Sequence, residues 1–331
     1  MSKRKAPAED NINHDFCDFL IELANYEKNV NRNIHKHNAY RKAANTIAAY
    51  GKRITSGEEA RKLEGVGKKI AEKIDEFIHT GKLRKLENIK HDDTAIAVES
   101  LTRVTGIGPA KAQELFKLGI KSTKDLHNHK DKLNHHQLIG LKYLEDFEKK
   151  IPRAEIELIE DKIRSNINAL DPEYLITICG SYRRGKAESG DIDVLITHPN
   201  FTSSCSEKGL ASNLLKKVVN KLENVSLITD TISLGDVKFM GVCKISEIAR
   251  RLDIRLTPHD QYNCATLYFT GSDMFNKEMR AHAIQEGFTL NEYCLRPLGS
   301  TGIPGEPLPV SSERDVFDYI NFPYKDPCQR N

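Results

Sequence analysis

The first strong periodicity in the chain falls at residues 16–30, where Phe16, Phe19, Leu20, Leu23 and Tyr26 recur at three- and four-residue intervals, with acids and lysines opposite. That spacing puts the apolar side chains on one stripe of an α-helix. A second amphipathic stretch, 33–52, carries Ile34, Ala44, Ile47 and Ala48 and is expected to close on Gly51. The segment "SGEEARKLEGVGKKIAEKIDEFIHTGKL" then predicts a short helix, a glycine turn and a longer helix stopped by Gly81. Polar, aperiodic "NIKHD" at 88–92 predicts a linker, and helical patterning resumes at Ala95 and lasts to about 148. Beyond "PRAEIELIEDKIRSNINAL" the period drops to two. "YLITICG", "IDVLITHP", "VSLITDT", "KFMGVCKI" and "RLDIRLTP" predict strands, and "KGLASNLLKKVVNKLENV" a helix between the second and third. The tail holds strands, Gly/Pro-rich turns and a short helix at "SERDVFDYI". The expected fold class is multidomain, α + α/β: helical at 1–87, a linker at 88–92, helical at 93–150, a mixed sheet with helices on a face at 151–260, and α/β at 261–331.

One pattern occurs twice. "LEGVGKKIAEKI" (63–74) and "VTGIGPAKAQELFKLGI" (104–120) share an apolar residue, a Gly-x-Gly turn and a helix with Ala at the matching offset. Gly65, Gly67, Gly106 and Gly108 make the two turns, each aiming backbone N–H groups toward an anion at a helix N-terminus. No strand precedes either copy, so neither is a dinucleotide-binding turn, and neither is a Walker loop. Two copies ahead of basic helices point to a sequence-independent grip on a nucleic-acid backbone.

Composition narrows the class. The 331 residues are 39% hydrophobic and 29% charged, an ordinary folded chain long enough for several cores. Net charge is only +3, but residues 1–90 hold 19 basic against 13 acidic side chains, leaving 31 against 34 for the remainder. Such asymmetry suits a polyphosphate partner. No apolar run approaches the roughly 20 residues that span a bilayer, and the opening "MSKRKAPAEDN" lacks a signal-peptide core, so an intracellular protein with no membrane partner is expected. The basic "SKRK" at 2–5 is compatible with nuclear import. Seven scattered cysteines without a CxxC pair argue against a disulfide framework or zinc module, and "HNHKDKLNHH" reads as a polar helix–loop region.

The chemistry concentrates in "CGSYRRGKAESGDIDVLITHP", 179–199. On a strand, residues i and i+2 share a face, so Asp191 and Asp193 are expected to point together. Two adjacent carboxylates repel unless a cation sits between them, and hard oxygen ligands favour Mg²⁺. In "RRLDIRLTP", Leu252, Ile254 and Leu256 form one face and Arg251, Asp253 and Arg255 the other. If this strand lies beside the first, Asp253 completes a triad suited to two metals about 3.5–4 Å apart.

Gly180-Ser181 ahead of Gly190-Asp191-Ile192-Asp193, with a third Asp on a later strand, resembles the nucleotidyltransferase superfamily. With "YFTGSDMFNKEMRAHA" (268–283), "AYRKAA", "LNHHQLIGLKY", "NEYCLRPLG" and the two glycine hairpins, the resemblance extends along the whole chain to the family X DNA polymerases. It implies an N-terminal lyase domain with the first helix-hairpin-helix, a helical DNA-binding subdomain with the second, a catalytic palm and a C-terminal nucleotide-selection subdomain. Asp191 and Asp193 would then bind both Mg²⁺ ions and Asp253 the catalytic one. Lys150, Ser181, Arg184 and Gly190 would meet the triphosphate, Tyr268 and Phe269 the sugar, and Gly271, Asp273 and Asn276 the rest of the nucleotide. Arg251, Lys238, Arg280 and Tyr293 would meet DNA.

The same resemblance makes Lys73 a Schiff-base nucleophile, with His35, Lys36, Tyr40, Lys69 and Lys85 around the 5′-phosphate. Lys69 and Lys73 stand four apart on one helix face, where each disfavours the other's charge. Backbone carbonyls of Arg61, Leu63 and Val66, and of Thr102, Val104 and Ile107, would hold a monovalent cation, Na⁺ or K⁺. The implied partners are gapped or nicked duplex DNA, dNTPs and other base-excision-repair proteins, with the chain a monomer in the nucleus. Lys150 stands where family members carry arginine, keeping the charge but losing the bidentate fork, and Glu64 replaces a usual proline. Two other readings stay open: a template-independent nucleotidyltransferase and a non-catalytic DNA-binding repair scaffold.

Overall fold

A computed structural model describes residues 11–205, 207 and 209–330, so the basic 2–5 run lies outside the described residues. The chain separates into two compact units, Met1–Leu144 and Glu145–Asn331.

The first unit is helical: α1 (His14–Asn29), α2 (Ile34–Ala49), α3 (Gly57–Arg61), α4 (Lys68–Thr80), α5 (Arg84–Lys90), α6 (Asp93–Leu101), α7 (Pro109–Lys117), α8 (Thr123–Asn128) and α9 (His135–Lys142). The stripe read from 16–30 is the core face of α1, where Phe16, Phe19, Leu20 and Leu23 pack with Ala43, Ala44 and Ile47 of α2 and Ile70 and Ile74 of α4. Asn33 caps α2 by accepting from the Lys36 N–H at 3.0 Å. Gly81 stops α4 in the left-handed region at φ +69°. For α2 the C-cap is Tyr50, in extended backbone, so Gly51 falls at the position after the cap expected of it, without the left-handed φ that Gly81 adopts. Residues 88–90, expected in a linker, are the last turn of α5, with Leu86 and Ile89 packed on the first core.

Both glycine repeats fold alike. In each, a helix ends, a glycine takes positive φ (Gly65 +81°, Gly106 +92°), and a second glycine becomes the extended N-cap of the next helix. Gly67 sits at φ −83°, ψ 170° and Gly108 at φ −84°, ψ 172°. Val66 and Ile107, the apolar residues between the glycines, anchor each turn in its own core.

α10 (Leu144–Phe147) follows in the chain. The second unit comprises β1 (Ile151–Pro152), α11 (Arg153–Leu170), β2 (Leu175–Ile178), α12 (Gly180–Arg183), β3 (Glu188–Ser189), β4 (Ile192–Thr197), α13 (Leu210–Asn224), β5 (Ile228–Leu234), β6 (Lys238–Cys243), β7 (Arg250–Leu256), α14 (Tyr262–Thr270), α15 (Asp273–Gln285), β8 (Phe288–Leu290), β9 (Leu295–Pro297) and α16 (Glu313–Tyr319). All five strands read from period two join one sheet in the order β2-β4-β7-β6-β5, with β4 and β7 parallel and the other neighbours antiparallel. Alternation assigns the faces. Ile192, Val194 and Ile196 of β4 and Leu252, Ile254 and Leu256 of β7 pack under α11 and α13. Leu195 turns the other way, onto Cys179 and Ala265 of α14. A separate core of Leu267, Phe275, Met279, Leu290, Leu295, Val316 and Phe317 unites α14, α15, α16 and the β8–β9 hairpin. The fold is thus multidomain α + α/β, as the patterning indicates.

Candidate active site

The parallel pairing of β4 with β7 sets Asp193 directly opposite Asp253. Both leave the helix-covered face and line a cavity of about 200 Å³ with Cys179, Leu195, Lys238, Arg255 and Phe269. Asp191 is not on the strand: it occupies an exposed bend one residue before β4. Its charge still acts there. Burial, then the Asp191 and Asp253 carboxylates, push the Asp193 carboxyl up to about 7, against the pull of Arg251 and Arg184. Asp253 is held by Arg251, Nη2 to Oδ1 at 2.7 Å, two residues back on the same face of β7.

Glycines let these groups approach. A Cβ on Gly180, which has φ +61°, would stand 2.5 Å from Asp193 Oδ2, so only a bare backbone fits against that carboxylate. A Cβ on Gly190 would stand 3.8 Å from Lys150 Nζ, which places the Lys150 ammonium beside the aspartate bend. Ser181 lies on the short α12 and Arg184 at its C-terminal end; Ser181 Oγ donates to Ser189 Oγ at 2.9 Å, and Arg184 Nη1 to the Thr270 carbonyl at 2.6 Å. Gly271 follows at φ +69°, where a Cβ would press on Arg184 Nη1 at 3.3 Å.

Tyr268 and Phe269 make an edge-on pair at 5.1 Å but face different spaces. Phe269 lines the carboxylate cavity beneath the Arg255 guanidinium, 4.5 Å from its ring. Tyr268 lines a second recess with Asn276, Arg280 and Asn291. Ser272 caps α15, Asn276 Nδ2 donates to the Tyr268 carbonyl at 2.8 Å, and Asp273 pairs with Lys277. Arg280 and Tyr293 are exposed.

In the first unit, Lys73 is half-buried on α4 and donates to the Lys69 carbonyl at 3.2 Å. Its pKa is lowered chiefly by burial and next by the Lys85 ammonium, while Glu76 and Glu72 oppose; Lys69, expected to be the main cause, contributes least. Lys85 and Lys36 converge on Glu27 at 2.6 and 3.8 Å, and the Lys85 ammonium stands about 6 Å from the rings of Tyr26 and Tyr40. Glu27, with a side chain only 1% exposed, escaped the sequence reading because its partner lies 58 residues away. His35 and Lys69 are exposed nearby in sequence. At the hairpins, the Leu63 and Val104 carbonyls each accept a turn bond, from Val66 N at 3.1 Å and Ile107 N at 3.0 Å. Arg61 ends α3 and Thr102 caps α6, so the six carbonyl positions fall at matching points of the two repeats.

Among the described residues, Asp171, Glu173 and His198 bring one possible metal-ligating atom each within 4.8 Å of one another. This set behaves as a structural lock. Asn200 N–H donates to His198 Nδ1 at 3.2 Å, which leaves the proton on Nε2 to donate to Asp171 at 3.1 Å, and a protonated nitrogen is no ligand. The aspartate face fits a hard divalent ion better, because its donors are all carboxylate oxygens, and a cation there would offset both the burial and the neighbouring carboxylates that raise the Asp193 pKa.

A parallel-paired carboxylate face, a glycine-bared arginine loop beside it and twin helical hairpins define a palm-bearing, helix-hairpin-helix class of protein. Residues 150–259 match the DNA polymerase beta palm and 265–331 the DNA polymerase beta thumb. Residues 99–148 match the fingers domain of DNA polymerase lambda, 11–83 a helix-hairpin-helix domain and 57–115 a SAM-like helix-hairpin-helix tandem. In palm, thumb and fingers the chain is thus similar to the family X DNA polymerases. It is 37% identical over 306 residues to DNA polymerase lambda of Rattus norvegicus (88% of this chain, 52% of the relative) and 33% over 311 residues to that of Arabidopsis thaliana (88% and 57%). DNA nucleotidylexotransferase of Xenopus laevis is 26% identical over 356 residues (96% and 67%). The chain spans about half the length of the polymerase lambda relatives it matches.

Proposed function

We propose that the protein is a template-directed DNA polymerase that fills short gaps in base excision repair and also removes the 5′-deoxyribose phosphate left at the gap. The register pairing of Asp193 with Asp253, flanked by Asp191, carries the polymerase reading. Mg²⁺ held by Asp191, Asp193 and Asp253 would lower the pKa of the primer 3′-hydroxyl and neutralise the departing pyrophosphate. Asp253 orients that hydroxyl and Arg251 meets the primer phosphate. Ser181, Arg184 and Lys150 hold the triphosphate, with Gly190 permitting close backbone approach. Tyr268 and Phe269 support the sugar, the backbone at Gly271 crowds out a 2′-hydroxyl, and Asp273, Asn276 and Arg280 meet the base and the template side. Lys238 and Tyr293 add DNA contacts. Within the family the polymerase beta type is the reading taken, in keeping with the palm and thumb matches, while the curated relatives matched at 37% and 33% identity are of the polymerase lambda type.

The lyase reading rests on Lys73, whose lowered pKa supplies more neutral amine at working pH. The amine adds to the C1′ aldehyde with loss of water, and loss of a C2′ proton then expels the C3′ phosphate. Lys36, Lys85, Lys69, His35 and Tyr40 would hold the 5′-phosphate. Na⁺ or K⁺ on the hairpin carbonyls would bridge Gly65–Gly67 and Gly106–Gly108 to DNA phosphates. Nuclear residence, a monomeric state and contact with other repair proteins belong to the same proposal.

A duplex with a one-nucleotide gap, offered each dNTP separately, tests it. Incorporation of the complementary nucleotide alone is expected. Equal incorporation whatever the template would favour template-independent transfer, the reading nearer to a nucleotidylexotransferase, and no incorporation would favour the scaffold.

A further inference from the structure

The α12 segment that carries Ser181 is four residues long and lies between Gly180 at φ +61° and Gly185 at φ +76°. A helix that short has no stability of its own, so its position is set by what its side chains hold. Tyr182 holds α11. Its ring packs on the core of the five-stranded sheet, and its hydroxyl donates to Glu160 Oε2 at 2.8 Å. The other oxygen of Glu160 is taken by Arg164, Nε to Oε1 at 2.7 Å, which fixes the carboxylate on its own helix. Arg153, the first residue of α11, covers the Tyr182 ring with its guanidinium 4.3 Å from the centroid. Arg153 also ties down the backbone. Its Nη1 donates to the Tyr182 carbonyl at 2.9 Å, the same oxygen that receives the Gly185 N–H at 3.0 Å, and its own N–H donates to the Ala187 carbonyl at 2.9 Å.

A phenylalanine would fill the same apolar space, so what the hydroxyl adds is direction. Burial and the Glu160 carboxylate push the Tyr182 phenol up to about 12, which keeps it a hydrogen-bond donor throughout the neutral range. The helix it grips is tied to the other side of the same site. α11 follows directly on β1, β1 pairs with β3 at Ile151–Ser189, and Lys150 is the residue before β1. One helix therefore carries the anchor of Ser181 and Arg184 at Glu160 and the anchor of Lys150 at its N-terminal end. We propose that Tyr182 and Glu160 are a positioning pair for triphosphate capture: their hydroxyl–carboxylate bond fixes α12 on α11, so that Ser181 and Arg184 stand in register with Lys150. This rests on the polymerase reading above. Asp193 and Asp253 are carried by β4 and β7, so loss of the bond weakens dNTP binding and leaves the chemical step alone.

The full chain with Tyr182→Phe, Glu160→Leu, or both tests this. Gap-filling kinetics, gapped-DNA affinity, inhibition by inorganic tripolyphosphate and hydrogen exchange over 180–187 are measured together. Tyr182→Phe keeps the ring and deletes one donor. It should raise the dNTP KM about fivefold, with kcat and DNA affinity held within about twofold, the size expected for one hydrogen bond that acts on binding alone. The rise should be the same for all four complementary dNTPs, and tripolyphosphate inhibition should weaken by the same factor, because the change lies at the phosphate end. Exchange at the Gly185 amide should accelerate. Glu160→Leu should match Tyr182→Phe, and the double variant should be no worse than the worse single, since the two act as one unit. An unchanged dNTP KM in Tyr182→Phe, unchanged exchange over 180–187, or a fall in kcat without a rise in KM overturns the proposal. If Glu160→Leu does not fold, Tyr182→Phe decides. Absence of templated incorporation by the unaltered protein would strike the polymerase reading alone, because exchange reports the pair without turnover.

Discussion

Asp193 shows how one residue acquires its character from three others. Its strand supplies the face, Gly180 the room, and Asp191 and Asp253 the unfavourable charge. Replacing Asp193 or Asp253 by alanine should lower gap filling by about a thousandfold or more, as expected when several kcal/mol of transition-state charge stabilisation are lost. Gapped-DNA affinity should hold or tighten because a negative charge is removed; retained incorporation in a kinetic assay would refute the site. Lys73 gives a signed pH prediction. Its pKa is lowered from 10.5, so the rate of borohydride-trapped adduct formation should rise with pH through a midpoint below 10.5. Lys85→Ala removes a charge that lowers that pKa, so the midpoint should move to higher pH, and Lys73→Ala should abolish the adduct. Sequence made Lys73 noticeable only through family resemblance, and burial, its main perturbation, is not written in i, i+4 spacing.

Among elements, the palm strands were legible because alternation and burial coincide, whereas β1, β3, β8 and β9 span two or three residues and carry too few positions to show a period. Asp191 was misplaced for a related reason: the apolar alternation begins at Ile192, and the strand begins with it. Ion pairs between elements left no local signal. Arg250 on β7 is 4% exposed, grips Glu155 of α11 with two bonds at 2.7 and 2.6 Å, and donates to the Lys149 and Lys150 carbonyls at 3.3 Å. Arg250→Met alone should cost about 3–5 kcal/mol of unfolding free energy by stranding Glu155, and adding Glu155→Leu should recover much of it. Denaturant melts of both variants check this. At the hairpins, Gly65→Ala and Gly106→Ala should each cost about 1–2 kcal/mol, since both glycines hold positive φ.

For the whole molecule, periodicity and the repeat were enough to place helices before sheet and to find both hairpins, because each pattern is local. The division into two compact units, Met1–Leu144 and Glu145–Asn331, falls close to the change of period expected at 150/151, whereas the union of 1–87 and 93–144 in one unit was not legible, since packing between segments decides it. Charge placement carries the last prediction. With 19 basic against 13 acidic residues in 1–90, affinity for gapped DNA should fall steeply with salt, and Lys69→Ala should weaken binding equally on all sequences and flatten the log–log salt slope by about one. Binding measured at several salt concentrations on unrelated duplexes checks both.

The twin hairpins have a practical consequence for genetics. They present main-chain groups from nearly superimposable backbones, and Pro109 at the first position of α7 removes one N–H that Lys68 supplies at the equivalent point of α4. Alanine scanning deletes side chains and leaves such groups intact, so in a mutational screen residues 61–69 and 102–110 should look largely inert outside the glycines, the buried Val66, Val104 and Ile107, and Lys69. Amide-to-ester replacement, which deletes single N–H donors, would expose what that screen overlooks, and the first hairpin should have one more sensitive position than the second.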